Sequence, residues 1–131
     1  MDIKFVIEKI INIPKDYYGK NKSKYSLVKE SGYFEVYDKI SEDVIEKALK
    51  EKPELIAEWI GWSEDQRISE GWYLKIENGK NIVANFSNDG GYKEIITTYP
   101  DISTACSVFI KYEIEYSRKI ALLDTKKNKK I

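Results

Sequence analysis

The side chains able to do chemistry in this chain are carboxylates, lysines, tyrosines and one thiol, because the 131 residues include no histidine. Without imidazole the commonest general base is gone, and with it the serine and cysteine triads and most transition-metal sites. The single cysteine, Cys106, cannot close an internal disulfide or build a cysteine zinc site. It stands beside Ala105 with no basic neighbour in sequence, the setting of a buried structural thiol. Glu64-Asp65 with Glu70 is an acidic grouping that could attract a hard cation. It lacks the one-three-five oxygen spacing and fixed glycine of a calcium loop, so a solvated connection is expected. Asn88-Asp89-Gly90-Gly91 is too short for a phosphate cradle and reads as a turn. Glu113 projects into an apolar helical stripe between Phe109 and Tyr116, where a carboxylate needs a lysine or arginine partner or water. No catalytic residue, metal site or cofactor is therefore expected.

Other residue types suit recognition better. Trp59 and Trp62 sit three apart around Gly61. Trp59 belongs to an apolar stripe, while Trp62 falls off it and is either an exposed anchor or buried beneath the loop that follows. Tyr73 and Tyr92 alternate onto the outer face of predicted strands, where they could contact a partner or be buried by the sheet. The expected partner-binding set is Trp62, Glu64, Asp65, Glu70, Tyr73, Asp89 and Tyr92.

The elements that must position them follow from periodicity. Ile3, Val6, Ile7 and Ile10 predict an amphipathic helix ended by Pro14, with residues 14–24 as a surface connection. The alternating YFEVYDK (33–39), with Phe34 and Val36 on one face, predicts a strand. Ser41 caps a helix over Val44, Ile45, Ala48 and Leu49. Pro53 opens another over Leu55, Ile56, Trp59 and Ile60, stopping at Gly61. From Gly71 the period becomes two, and Asn78-Gly79 signals a hairpin. A two-residue loop would set Trp72, Leu74 and Ile76 opposite Asn85, Val83 and Asn81. The expectation is therefore a three-residue loop pairing Leu74 with Ile82 and Trp72 with Ala84. A third strand spans about 92–99. Asp101 or Ser103 then caps a long helix whose stripe is Ile102, Ala105, Cys106, Phe109, Tyr112, Tyr116 and Ile120. Together these predict one α+β domain over 1–123: N-terminal helices, an antiparallel sheet of three to four strands and a long C-terminal helix on one sheet face. A flexible basic tail over 124–131 would follow.

Length and composition (42% hydrophobic, 34% charged) fit a single core with no membrane span, since a span needs about 20 apolar residues. The Met-Asp-Ile-Lys start has no leader character and one cysteine suits a reducing compartment, so a cytoplasmic location is expected. Net charge is zero, but residues 31–70 hold eleven acids against five bases, whereas residues 1–30 and 101–131 are each positive by three. No basic stripe with interleaved aromatics exists, so nucleic acid is not expected as a partner. An acidic middle third suits a basic protein.

Four stretches, SGYFEVYDKIS (31–41), AEWIGWSEDQR (57–67), GWYLKIENGK (71–80) and YPDISTACSVFIKYE (99–113), resemble the small α+β immunity proteins of bacterial polymorphic-toxin and contact-dependent inhibition systems. The resemblance spans about two-thirds of the chain, from Ser31 to Ile120. It implies a cognate toxin domain as partner, typically a nuclease, blocked by occlusion. Basic nuclease clefts would match the acidic segment. The alternative is a small regulatory or phage-encoded binding module, monomeric or weakly homodimeric through an open sheet edge. A third reading, a carboxylate-dependent enzyme, needs two acids converging in a pocket.

Overall fold

A computed structural model describes residues 2–66, 71–87 and 93–129. Among these residues, seven α-helices, a short 3-10 turn and a three-stranded antiparallel sheet make an α+β fold. Helix α1 (Ile3–Ile11) buries Val6, Ile10 and Ile11. Pro14 does not lead into a loop as expected. It occupies the first turn of α2 (Ile13–Lys20), where its missing N–H costs nothing. Ser23 caps α3 (Lys24–Ser31) by accepting from the Ser26 amide at 3.1 Å.

The strand expected over 33–39 is helical: α4 (Tyr33–Val36) followed by a 3-10 turn over Tyr37–Lys39. Gly32, at φ 92°, ends α3 and redirects the chain into α4, a conformation that favours glycine. The face that decides the matter pairs Tyr33 with Val36, three apart and both buried, while Phe34 is only half-buried. Helix α5 (Glu42–Glu51) takes its cap from Ser41, whose hydroxyl accepts from the Val44 amide. Helix α6 (Glu54–Asp65) runs through Gly61 instead of stopping there. Burying Trp62 and Ser63 outweighs the roughly 1 kcal/mol penalty of a helical glycine.

Strands β1 (Gly71–Glu77), β2 (Lys80–Ser87) and β3 (Lys93–Tyr99) pair in the order β1-β2-β3. The hairpin loop has two residues, Asn78 and Gly79, both at positive φ (52° and 74°). Leu74 therefore faces Val83 and Trp72 faces Asn85, which overturns the expected three-residue loop. That expectation assumed one buried face. Here Leu74 and Val83 pack on the helices, while Tyr73, Ile82 and Ala84 form a second small cluster on the opposite face. Asn81 on the helix side is not wasted, since its amide donates to the Tyr99 carbonyl at 3.3 Å.

Helix α7 (Ile102–Lys129) crosses the helix-side face, burying Ala105, Cys106, Phe109, Ile110 and Ile114 and stacking Tyr112 on Trp72 at 3.8 Å between centroids. Its helical backbone continues past Asp124 to Lys129, where a flexible tail was expected. Asp101 is its cap: the carboxylate accepts from the Thr104 amide at 2.9 Å. Among the described residues no helix is long and apolar enough to cross a membrane.

Candidate functional site

The expected contact residues separate into inside and outside. Trp62 is 4% exposed and meets Trp59, Phe109 and Tyr17 edge-on, so it is a core residue and not a surface anchor. The cause is the continuation of α6 through Gly61, which turns Trp62 back towards α7. Tyr73 does lie on the outer sheet face, but at 5% exposure within the Tyr73–Ile82–Ala84 cluster it offers a partner little area. Lys75 adds to that shielding, with its ammonium 5.3 Å from the Tyr73 ring centre. Glu64 and Asp65 are exposed, at the end of α6. Asp65 accepts the Tyr18 hydroxyl proton in a hydrogen bond, and that bond pushes the Tyr18 pKa up to about 12. Glu70, Asp89 and Tyr92 lie outside the described residues.

The distribution of paired and unpaired carboxylates is more informative than any single position. Through most of the fold acids have counterparts: Glu8 with Lys52, Asp16 with Lys20, Glu30 with Lys22, Glu77 with Lys75, and Glu115 with Arg118 and Lys111. Glu113, the carboxylate placed inside the α7 stripe, pairs with Lys24, whose ammonium also sits 5.1 Å from the Tyr116 ring centre. Between residues 35 and 64 the pattern reverses. Glu46 pairs with Lys50, but Glu35, Asp38, Glu42, Asp43, Glu51, Glu54, Glu58 and Glu64 make no ion pair within 4 Å among the described residues. All eight are exposed. On α6, Glu54, Glu58 and Glu64 flank Ala57 and Gly61, both exposed, so bulk does not screen the charge.

Sequence reasoning missed a polar cluster between α4 and α7. Tyr33 hydrogen-bonds Glu115 and accepts from Lys111 at 2.8 Å. Lys111 also donates to the Ile40 carbonyl at 2.5 Å, and Arg118 grips Glu115 with two nitrogens while lying 3.9 Å from the Tyr37 ring centre. Burial pushes the Lys111 pKa down and the Tyr33 pKa up. Burial also opposes ionisation of Glu115, but hydrogen bonds from Arg118 and Tyr33 outweigh it and hold that carboxyl below its ordinary range. An open depression of about 610 Å³ lies alongside, lined by Tyr37, Asp38, Ser41, Glu42, Lys111 and Glu115 among others. Lys111 and Glu115 are spent on their neighbours, so the cluster ties α4 to α7 and leaves neither group a free base. The spacing of Lys111, Glu115 and Arg118 on one side of α7 was a signal, but its partner Tyr33 had been assigned to a strand.

Cys106 is fully buried, and burial pushes its thiol pKa far above the ordinary value, which keeps it from acting as a nucleophile at neutral pH. Among the described residues no three His, Cys, Asp or Glu side chains converge as a metal-binding group. No family model, curated protein or solved structure matches this chain.

Proposed function

We propose that this chain is an immunity protein that binds and neutralises a cognate toxin domain in the cytoplasm, covering a basic surface of that domain with its own acidic one. The supporting observation is the run of eight exposed carboxylates between Glu35 and Glu64 that make no ion pair among the described residues, whereas Glu8, Asp16, Glu30, Glu77, Glu113 and Glu115 elsewhere do. Such a surface keeps a standing electrostatic potential that steers a basic partner and disfavours acidic ones. A basic nuclease domain fits that description, and occlusion asks no catalysis of this chain. The contact is centred on α5 and α6, with Glu64 retained from the expected set and Trp62 acting as internal support beneath α6.

The test is titration of the chain against the basic toxin domain of the neighbouring gene, at low and high salt, with toxin activity as a second readout. Binding should be one-to-one, silence the toxin and weaken as salt rises. The triple variant Glu54→Lys, Glu58→Lys, Glu64→Lys should weaken it by about tenfold or more, mostly through slower association. Those three side chains are exposed and unpaired, so the variant should keep the fold. Undiminished affinity in the triple variant discards this surface, and an unaffected toxin discards the function.

A further inference from the structure

We propose that the free edge of β3 is a self-association surface, on which two copies join β3 to β3 antiparallel about Ile96 and extend the sheet to six strands. This stands apart from the toxin-binding surface on α5 and α6. The direction of each backbone group follows from the register. The two-residue loop makes Glu77 and Lys80 a hydrogen-bonded pair, so 75, 73 and 71 also bond to β2 while 76, 74 and 72 point away. The Leu74 amide confirms this, since it donates outward to the Ser63 hydroxyl at 2.8 Å. Carried across β2, the same alternation bonds 93, 95, 97 and 99 to β2 and leaves the N–H and C=O groups of 94, 96 and 98 facing outward.

Among the described residues, the 95–98 stretch of the β3 edge carries none of the usual protection. Residues 95–98 are Ile-Ile-Thr-Thr, all exposed, with Ile95 at 64% and Ile96 at 51%. No charge, proline or bulge interrupts them, the devices by which edge strands normally avoid pairing. A second copy suits this edge for two reasons. Pairing about Ile96 sets Ile96 against Ile96 and Ile95 against Thr97, so apolar and β-branched side chains meet across the new seam. It also continues an apolar row already present, because Tyr73, Ala84 and Ile96 lie opposite one another across the three strands. In the dimer that row runs unbroken through Ile96 into its equivalent in the other copy. One seven-residue edge is small beside the roughly 800 Å² per partner of a standard interface, so association should be weak and concentration-dependent.

The experiment measures average mass by light scattering from micromolar to millimolar concentration, together with residue-resolved amide exchange on the same unmodified chain. Mass should rise towards two chains, and the Ile96 and Thr98 amides should slow with concentration while those of Ile95 and Thr97 stay unchanged. Ile96→Lys, which charges the edge without touching the bonds to β2, should hold the chain at one copy throughout. A constant single-chain mass overturns the proposal. So does self-association that leaves the Ile96 amide unprotected, or a folded Ile96→Lys variant that associates as well as the parent.

Discussion

Along the β1 edge the outward amide of Leu74 ends on the buried Ser63 hydroxyl beneath α6, whereas along the β3 edge the outward groups of Ile96 meet nothing among the described residues. Both strands have seven residues and both flank β2, so propensity does not distinguish them. Connection does. α6 precedes β1 in sequence and packs beside it, bringing Ser63 against the strand. β3 leads instead to α7, which crosses the sheet face and leaves Ile95 and Ile96 exposed. An edge is closed only where a neighbouring element supplies both cover and a hydrogen-bond partner, and here one helix does so for one edge.

The largest effect that should mark this difference is in packing. Leu74→Ala on the covered strand should cost about 2–5 kcal/mol, while Ile95→Ala on the open one should stay within about 0.5 kcal/mol. Urea unfolding of the two variants measures this directly, and similar midpoints would show that the edges are not energetically distinct. The next effect isolates the hydroxyl. Ser63→Ala strands the Leu74 N–H away from water and should cost about 1–3 kcal/mol, with faster exchange of that one amide. If the Leu74 amide stays protected in Ser63→Ala, α6 covers the edge by shape alone.

The smallest effect concerns acid. The β3 exit is held by Asp101, whose carboxyl is lowered from 3.8 to about 2 by the Ser103 hydroxyl and then by the Thr104 amide. A carboxyl depressed on folding adds stability above its unfolded value and loses it as pH falls through its folded value. The Asp101 contribution should therefore be complete above about pH 4 and fade towards pH 2. Asp101→Asn should flatten that part of the acid-unfolding profile, while Ser63→Ala, which removes no titrating group, should leave its shape unchanged. An unaltered acid limb in Asp101→Asn would show that the cap contributes nothing through its charge.

Much of the fold is legible from residue spacing. The α1 and α5 stripes, the caps at Ser41 and Asp101 and the Asn78-Gly79 turn depend on local geometry, and the structure has them where spacing puts them. The expected α7 stripe is buried only in its first half: Tyr116 is exposed, and Ile110 and Ile114 are buried instead. The failures share a cause. YFEVYDK reads as alternating, but burying Tyr33 against Lys111 and Glu115 on α7 selects a helical turn. The hairpin register depends on whether one sheet face is buried or two, and Gly61 reads as a stop only if nothing beyond it is worth burying. The candidate surface was half legible: the acidic segment is visible as composition, but which of its carboxylates lack counterions is not.

What the sequence determines by itself is chemical inventory and local periodicity. It contains no imidazole, one thiol, an acidic middle third, amphipathic helices and a sheet with a long helix after it. Tertiary structure decided which aromatics are exposed and which are core, since Trp62 and Tyr73 differ from surface residues only by what folds over them. It also decided which acids stay unpaired and which sheet edge stays open, because pairing and coverage depend on side chains brought together from distant points in the chain. Lys24 reaches Glu113 and Ser63 reaches Leu74 in this way, and no spacing rule connects them.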